Sequence, residues 1–417
     1  MTLAEELKAR GLVEHSSTPV ERILSAPRTA YLGIDPTADS LHVGHLVPIL
    51  LMKRLGDAGH KLIFLIGGGT GQIGDPKETG ERPMLAVKAV AVNTRALKKQ
   101  LKKILGNAAF KMVDNADWLM GVKLVPFLRD VGTYFTINDL IKRDIIKKRI
   151  ETPDESISYA EFSYSLLQGF DYLTLYQKYG CDLQIGATDQ WTNILSGVDL
   201  IHKKLGKDAY AFTVPLVTDA TGKKFGKSEG NAVWLDATKT SPFQFYQFWI
   251  NFSDAGIENY LKMYTFLPPV EIAALMELHA RNPSERQAQE TLARLVTETV
   301  HGPAATAQAA AATDALFGDT PFNELSREAL AVALAEAPSV TLSKKDVADG
   351  SPLADALVTG GLASSKSDAR RLIKGKGITL SDQTIENPDQ KVYSGDFSNG
   401  HALIRKGKQG VLVLVLK

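Results

Sequence analysis

Short apolar runs alternate with longer amphipathic segments through the first half of the chain. Runs that end near glycine, proline or aspartate predict strands at residues 31–34, 62–66, 110–113, 183–186 and 212–217. Between them, apolar residues recur at spacings of three and four, as at Leu97, Leu101 and Leu105, and predict helices. This alternation predicts an α/β fold with a parallel sheet, in which ligands bind at the carboxyl ends of the strands.

The pattern changes after residue 241. Strand signals are sparse from 242 to 317, which predicts a helical region. The tail, 351–417, reads as a small basic α+β module. Its two helical and three strand patterns lie at 353–359, 366–374, 377–380, 402–405 and 411–416.

Composition excludes several classes of protein. The 417 residues are 44% hydrophobic and 23% charged, which excludes a disordered, collagen-like or coiled-coil chain. No window approaches the roughly 18 consecutive apolar residues of a membrane span, so no membrane partner is expected. The single cysteine, Cys181, excludes an internal disulfide and a cysteine-based zinc site, and it favours a cytoplasmic location. A net charge of +1 neither favours nor excludes a nucleic acid.

Two histidines follow the first predicted strand, in residues 39–45 (DSLHVGH). Asp39 or Ser40 is a suitable N-cap, which predicts His42 and His45 on one face of the first turns of a helix. Backbone N–H groups there favour an anion, and the imidazoles can hydrogen-bond a phosphate. Gly44 leaves room for a flat ring on the helix. Two ordinary surface histidines are the alternative, and a zinc pair lacks further ligands nearby.

A glycine-rich loop follows the second strong strand, at residues 67–76 (GGGTGQIGDP). Its G-x-G-x-x-G spacing matches the dinucleotide fingerprint, which also requires an acidic residue about 20 positions further on. Residues 82–111 contain no Asp or Glu, so a dehydrogenase is excluded. The loop instead predicts a close backbone approach to another ligand, with Asp75 as an anionic contact.

A second polar loop carries the sequence KFGKS at residues 224–228. Lys224 and Lys227 can neutralise charge that develops on a polyphosphate. Alone, this pattern is weak. Together with HVGH at 42–45, it resembles the signature pair of class I aminoacyl-tRNA synthetases, usually HIGH and KMSKS.

Four segments make the resemblance more specific, because they are similar to bacterial-type tyrosyl-tRNA synthetases. They are residues 31–42 (YLGIDPTADSLH), 67–76, 161–171 (EFSYSLLQGFD) and 184–191 (QIGATDQW). The likeness extends over about residues 1–320, and the tail resembles an S4-type RNA-binding domain around residues 367–373. The domains implied are a Rossmann-like catalytic domain over 1–217, the KFGKS loop over 218–241, a helical anticodon-arm domain over 242–320, a linker over 321–350 and an S4-like domain over 351–417.

The resemblance implies an enzyme that joins L-tyrosine to tRNA(Tyr) through tyrosyl-AMP, with release of pyrophosphate. Tyr31 and Asp171 match the pair that hydrogen-bonds the substrate phenol. Phenylalanine would leave both unpaired, a discrimination of roughly 10⁴–10⁵ for which this same enzyme family is the standard example. The remaining residues implied in tyrosine binding are Asp75, Tyr164 and Gln168 at the ammonium, Gln190 near the carboxylate, and Gln184 as a pocket support.

The same resemblance implies an ATP site. Thr37 and His42 match positions at the γ-phosphate, while Asp35, His45 and Asp189 match positions near the ribose. Lys224 and Lys227 would hold the departing pyrophosphate, supported by Ser228, and Gly44 would face the nucleotide. His42, His45, Thr37 and the two lysines are thus the expected catalytic residues. Mg²⁺ is expected with ATP, without a dedicated protein metal site.

For tRNA, the family implies a homodimer whose subunits share the substrate. A basic cluster at Lys142, Arg143, Lys147, Lys148 and Arg149 is a candidate phosphate-contact face. In the tail, Lys366, Arg370, Arg371 and Lys374 share one face of a predicted helix and form a second candidate.

Departures from the family pattern and alternative functions remain open at this point. Leu32 replaces a frequent cysteine near the ribose, Pro48 stands early in the signature helix, and the loop at 77–82 is one residue short. Alternatives are a tryptophan-specific relative, a small nucleotidyltransferase and a non-catalytic RNA-binding paralogue. Tyr31 with Asp171 argues against the first, because an indole offers no hydroxyl there.

Overall fold

The computed structural model of the chain describes residues 1–76, 86–141, 143–152, 155–217, 227–228, 231–407 and 410–417. Within it the chain forms two compact units. The first contains Met1–Lys239 and Phe252–Leu292, and the second contains Thr240–Asn251 and Ala293–Lys417. Among the described residues, no helix has both the length and the apolar character that a bilayer crossing requires.

A six-stranded sheet organises the first unit. Its strands are β1 (His15–Ser16), β2 (Thr29–Ile34), β3 (Lys61–Ile66), β4 (Phe110–Asp114), β5 (Leu183–Ala187) and β6 (Tyr210–Val214). The order is β1-β6-β5-β2-β3-β4, and every neighbouring pair is parallel except the β1–β6 pair at one edge. The predicted α/β fold with a parallel sheet is therefore confirmed, and all five predicted strands are present.

In the described ranges, ten α-helices accompany this sheet. They are α1 (Leu3–Ala9), α2 (Val20–Ile23), α3 (Leu46–Asp57), α4 (Val87–Leu105), α5 (Ala116–Leu119), α6 (Leu124–Asp130), α7 (Ile137–Leu140), α8 (Asp144–Glu151), α9 (Tyr159–Tyr179) and α10 (Trp191–Leu205). Helix α9 begins with a capping box between Ser158 and Glu161 and ends at Gly180, which has the left-handed conformation that glycine tolerates. Its buried face, with Tyr172 and Leu173, packs into the same core as Tyr31 and Ile63 of the sheet.

The start of the signature helix differs from the prediction. Neither Asp39 nor Ser40 is the N-cap: a 3₁₀ turn at Val43–His45 begins after His42, and α3 begins only at Leu46. Residues 41–43 are extended instead because they pair with residues 233–235, a contact too distant in sequence for local patterns to reveal. Pro48 is the third residue of α3, where no intrahelical N–H bond is required of it.

Two short strands, β7 (Lys227–Ser228) and β8 (Asn231–Ala232), pair antiparallel. Helices then follow, as predicted for 242–317: α11 (Pro242–Ile250), α12 (Ile257–Tyr264), α13 (Pro269–Arg281), α14 (Gln287–His301) and α15 (Pro303–Phe317). They do not form a separate unit, since residues 252–292 cluster with the first unit and the others with the second.

The rest of the second unit is an α+β module. Its elements are α16 (Arg327–Glu336), β9 (Ser339–Leu342), α17 (Lys344–Ala348), β10 (Ser351–Pro352), α18 (Leu353–Thr359), α19 (Lys366–Lys374), β11 (Ile378–Leu380), β12 (Gln383–Thr384), β13 (Lys391–Val392), β14 (His401–Lys406) and β15 (Gly410–Leu416). The five-stranded sheet has the order β12-β11-β14-β15-β9. The prediction of a linker over 321–350 is wrong at 339–342, because Val340 joins this module's core and β9 pairs parallel with β15.

Candidate active site

A cavity of about 270 Å³ opens at the carboxyl ends of the central strands of the first unit. It brings together residues that lie far apart in the sequence, from Tyr31 to Val217. The predicted site residues that line it are Tyr31, Asp35, Thr37, His42, Gly44, His45, Asp75, Tyr164, Gln168, Asp171, Gln184, Asp189 and Gln190. Leu32 and Pro48, two of the three departures from the family pattern, also line it.

One end of the cavity, the buried end, is built around Asp171 and Tyr31, each only 1% exposed. Both oxygens of the carboxylate are engaged: Asn115 Nδ2 donates to Oδ2 at 2.9 Å, and Trp118 Nε1 donates to Oδ1 at 2.7 Å. The hydroxyl of Tyr31 has no hydrogen-bond partner among the described residues. A buried hydroxyl without a partner is costly, so this end is prepared for a ligand with a polar group.

Burial also changes the acid–base behaviour of this end. It raises the pKa of Asp171 to about 7, although the hydrogen bonds from Asn115 and Trp118 favour the ionised form. Burial raises the pKa of Tyr31 well above its usual range, and the Asp171 carboxylate adds to that shift. Tyr31 is therefore a neutral hydroxyl at any physiological pH, while Asp171 changes its charge near neutrality.

Asp35 stands at the middle of the cavity, where β2 ends. The hydroxyls of Tyr164 and Thr70 donate to its two oxygens, both at 2.9 Å. A Cβ atom at Gly67 would lie 1.9 Å from Asp35 Oδ1, so glycine is required there for the carboxylate to approach the backbone. Some glycines of the 67–76 loop thus make room for protein side chains, as Gly68 does for Asp114.

Asp75 forms the second acidic group of the middle. Gln190 Nε2 donates to its Oδ2 at 2.7 Å, and Asn193 Nδ2 donates to its Oδ1 at 3.0 Å. Two side-chain amides therefore fix the plane of this carboxylate. Gln168 and Gln184 also line the cavity here, and Gln184 Oε1 is buried without a hydrogen-bond partner in the described part of the chain.

The other end of the cavity, the open end, contains the two histidines. Their ring centroids are 3.9 Å apart. His42 Nδ1 accepts from the backbone N–H of Gly44 at 3.1 Å, and His45 Nδ1 accepts from the N–H of His42 at 3.3 Å. Thr37 and Asp189 are exposed at this end. Exposed backbone and side-chain groups suit a large, hydrated, anionic ligand.

The segment after the KFGKS loop is bound directly to the signature residues. The N–H of Val43 donates to Val233 O at 3.0 Å, and the N–H of Leu235 donates to Leu41 O at 2.8 Å. The ring centroids of Trp234 and His42 are 6.2 Å apart, in an edge-to-face arrangement. This antiparallel contact holds residues 233–235 beside His42.

The lysine loop itself can be described only in part. Lys224 lies outside the described residues, as do Lys77, Arg82 and the short loop that holds them. The backbone of Lys227 and Ser228 forms β7, whereas their side chains do not belong to the described part of the structure. Their expected contacts with pyrophosphate stay predictions.

The two predicted basic clusters differ in exposure. Lys147 and Lys148 are exposed on α8, whereas Arg149 is 1% exposed and forms ion pairs with Glu155 and Glu161. Arg149 is therefore a buried structural residue, and its assignment as a phosphate contact is wrong because the guanidinium cannot reach a surface ligand. Lys142 lies outside the described residues.

In the second unit, the basic residues of α19 are exposed. Lys366, Arg370 and Arg371 have 67%, 59% and 77% of their side chains exposed and form ion pairs with Asp355, Asp389 and Asp368. Exposed pairs of this kind are weak and can exchange for other anions.

Sequence reasoning missed Asn115, Trp118 and Asn193. Asn115 directly follows β4, so the rule that sites lie at the carboxyl ends of parallel strands already pointed to it. Trp118 lies one turn later, and Asn193 lies three residues after Gln190 at the start of α10. None of the three belongs to a distinctive sequence motif. Their role here is to orient the carboxylates of Asp171 and Asp75, and uncharged side chains can do this without any sequence signature.

Comparison with known proteins identifies two family models that match this chain. The family of class I tRNA synthetases (W and Y) matches residues 25–318, and the SYY-like C-terminal domain of tyrosine–tRNA ligase matches residues 329–414. The tyrosine–tRNA ligase of Roseiflexus castenholzii is 45% identical over 416 residues, covering 98% of both chains. That of Corynebacterium glutamicum is 43% identical and covers 99% of this chain and all of the relative.

Solved structures give a consistent picture for the catalytic part. A C-terminally truncated mitochondrial tyrosyl-tRNA synthetase from Aspergillus nidulans is 33% identical, with a TM-score of 0.66 over 73% of this chain and 91% of that chain. A tryptophanyl-tRNA synthetase from Encephalitozoon cuniculi bound to tryptophan is 17% identical, with a TM-score of 0.54 over 73% of this chain and 86% of that chain. The second likeness concerns the fold alone.

Proposed function

The chain belongs to the class I tRNA synthetases of the W and Y family and has the activity of a tyrosine–tRNA ligase; we propose that the cavity of the first unit carries out its tyrosine-activating step. The observation that carries this proposal is the buried end. Asp171 and Tyr31 there present two polar groups to a ligand that enters along the apolar walls of the cavity. The phenol of tyrosine donates to Asp171 and pairs with the hydroxyl of Tyr31.

This pair selects tyrosine against its closest competitors. Phenylalanine would fill the same space and leave both groups buried without a partner, which costs free energy for each of them. Tryptophan would place an indole where no hydroxyl can meet Tyr31. The likeness to a tryptophan enzyme extends only to the fold, while the C-terminal domain matches the tyrosine type.

The middle of the cavity receives the amino-acid backbone. Asp75 and Tyr164, with Gln168, surround the ammonium, and Gln190 lies beside the carboxylate. A carboxylate can accept more than two hydrogen bonds, so donation of one amide to each oxygen of Asp75 is compatible with binding of a cation. Asp35 supports this group through its hydrogen bond from Tyr164.

ATP occupies the open end, with its phosphates against Thr37 and His42 and its ribose near Asp35, His45 and Asp189. An oxygen of the tyrosine carboxylate attacks the α-phosphorus. The bond from that phosphorus to the bridging oxygen of the β-phosphate breaks, and pyrophosphate leaves with the electron pair. No protein nucleophile is needed, so catalysis consists of alignment and charge stabilisation, in which Lys224 and Lys227 complete the site.

Mg²⁺ enters as part of the substrate. In the described part of the chain no group of three His, Cys, Asp or Glu side chains is arranged to hold a metal. Magnesium commonly binds through phosphate oxygens and water, with few protein ligands, so ATP itself can carry it.

The second step uses surfaces as well as the cavity. A terminal ribose hydroxyl of tRNA(Tyr) attacks the carbonyl carbon of tyrosyl-AMP, and AMP leaves. Lys147 and Lys148 on α8 and Lys366, Arg370 and Arg371 on α19 contact the RNA backbone through their exposed charges. As part of protein synthesis, the enzyme works in the cytoplasm.

The enzyme works as a homodimer through an exposed apolar face on the first unit. This face consists of Met120, Leu124, Val125, Leu128, Ile137 and Ile141, which are 39–75% exposed. Apolar side chains grouped in this way are typical of a protein interface. Equilibrium sedimentation tests it: Val125→Lys should convert dimers to monomers, and a wild-type monomer at micromolar concentration would contradict it.

ATP–pyrophosphate exchange with each of the 20 amino acids, without tRNA, tests the activation step. Exchange with tyrosine alone is expected. Exchange with tryptophan alone would show that the buried end has been misassigned. No exchange from a folded sample would favour a non-catalytic RNA-binding protein.

A further inference from the structure

A row of hydrogen bonds leads from Asp75 to an arginine that does not line the cavity. The side-chain amide of Asn193 donates to Asp75 Oδ1 at 3.0 Å, and its own Oδ1 accepts from Arg143 Nη1 at 2.9 Å. The other guanidinium nitrogen, Nη2, donates to the hydroxyl of Ser196. Asn193 and Ser196 are 8% and 7% exposed, so the guanidinium is held within the protein by two side chains of α10.

This arrangement determines which way the amide of Asn193 faces. A guanidinium can donate hydrogen bonds and cannot accept them, so it fixes the amide oxygen toward Arg143. The amide nitrogen must then face Asp75. Asn193 Nδ2 is also 3.4 Å from Gln190 Oε1, which leaves Gln190 Nε2 to donate to Asp75 Oδ2 at 2.7 Å. Without Arg143, an inverted Asn193 would direct an oxygen at the carboxylate.

We propose that Arg143 is a positioning residue for recognition of the substrate ammonium. It orients the amides of Asn193 and Gln190, and these amides hold the Asp75 carboxylate in the plane in which it meets the amino group of tyrosine. The inference rests on the role of Asp75 in the proposed function. It replaces the earlier expectation that Arg143 contacts an RNA phosphate, because this guanidinium is directed inward onto α10.

The charge of Arg143 is maintained in this setting. Burial lowers the pKa of the guanidinium to about 10, while the nearby Asp75 favours its charged form. Arg143 is therefore a cation at neutral pH. Its backbone lies between α7 and α8, next to the helix that carries the exposed lysines. The hydrogen bonds of Arg143 therefore connect the ammonium site to the surface that we propose binds tRNA.

The test separates ammonium recognition from general damage to the site. Tyrosine and 3-(4-hydroxyphenyl)propionate differ only in the amino group, and the second compound serves as a competitive inhibitor of pyrophosphate exchange. In Arg143→Ala we expect the KM for tyrosine to rise about tenfold, as for loss of a charge-assisted hydrogen-bond arrangement. The inhibition constant of the des-amino compound and the KM for ATP should each stay within about twofold.

Two further variants keep the test decisive if Arg143→Ala folds poorly. Asn193→Leu keeps the branched shape of the side chain and removes the same connection, so it should reproduce the tyrosine-selective effect. Arg143→Lys keeps one charged donor and should restore part of the affinity for tyrosine. The matched control is Arg294→Ala, an exposed arginine on α14 that forms an ion pair with its neighbour Glu298 and should change none of these constants.

The outcomes distinguish this inference from the proposed function on which it rests. If Asp75→Asn removes the preference for tyrosine over the des-amino compound and Arg143→Ala does not, the role of Arg143 is contradicted and that of Asp75 stands. If Arg143→Ala weakens both compounds equally, Arg143 is a structural residue only. If Asp75→Asn leaves the preference intact, the ammonium assignment itself is wrong.

Discussion

The buried end of the cavity and helix α19 both present charged groups to a ligand, in opposite environments. Asp171 is 1% exposed, with both oxygens held by Asn115 and Trp118, whereas the basic side chains of α19 are more than half exposed and lie against single acidic partners. A buried group cannot exchange a lost partner for water, so each atom there matters greatly. Exposed charges are screened by salt and can exchange partners, so their effect on binding depends on how many of them there are.

The largest effect is expected for Asp171→Asn. The new amide nitrogen would face either the Trp118 or the Asn115 donor, and the site would lose the charge that receives the phenol. We expect kcat/KM for tyrosine in pyrophosphate exchange to fall about 100-fold or more, as for a buried charged partner. Asp199→Asn, an exposed carboxylate on α10, should leave it unchanged. Near-normal activation by Asp171→Asn would contradict the assignment of this end.

Tyr31→Phe should separate binding from stability. Its hydroxyl has no partner among the described residues, so the melting temperature should stay equal or rise, while tyrosine affinity falls about tenfold. Tyr172→Phe is the matched control from the same core, because its hydroxyl donates to Tyr210 O at 2.8 Å. That variant should lose about 1 kcal/mol of stability and keep its tyrosine affinity. The reverse pattern would show that Tyr31 does not meet the substrate.

Tyrosine binding should also depend on pH through Asp171. Its pKa is raised to about 7 by burial, and the ionised form is the better acceptor for the phenol. The dissociation constant for tyrosine, measured by titration calorimetry, should therefore fall about tenfold between pH 6 and pH 8.

The same raised pKa makes this group's contribution to the free energy of unfolding decrease as pH rises from about 4 through 7, because the folded state then retains the proton more strongly than the unfolded state. If the pH dependence of tyrosine binding persists in Asp171→Asn, it arises from another group, which would contradict this prediction.

The smallest effects are expected on α19. Lys366→Ala, Arg370→Ala and Arg371→Ala should each raise the KM for tRNA about two- to threefold at low salt, and less at high salt, without changing pyrophosphate exchange. Arg327→Ala is the control, an exposed arginine at the start of α16. A single substitution on α19 that abolished charging would show a buried or base-specific contact, contrary to this comparison.

The same contrast explains how much the sequence could predict. Strand positions and most of the cavity were accessible because Tyr31, Asp35 and Asp75 lie near strand ends and Tyr164 and Asp171 share one helix face. Asn115, Trp118 and Asn193 were missed, since their roles arise from hydrogen bonds to residues distant in the sequence. Such contacts become visible only when the fold brings the segments together.

Two wrong expectations have the same cause. Arg149 looked like a surface cation because it stands among lysines, and only the fold pairs it with Glu161. Ser40 looked like an N-cap, but its hydroxyl instead donates to Leu41 O and accepts from the N–H of Asp236. In both cases, partners outside the local helix or turn override the local pattern.

The most direct test of this account is the ratio of kcat/KM for tyrosine to that for phenylalanine, measured by pyrophosphate exchange on the wild type and Asp171→Asn together. If Asp171 and Tyr31 recognise the phenol, the wild type should strongly prefer tyrosine. Asp171→Asn should lose most of that preference because its kcat/KM for tyrosine falls while its kcat/KM for phenylalanine does not. An unchanged ratio in a folded variant would contradict the central claim, because selection would then arise elsewhere in the cavity.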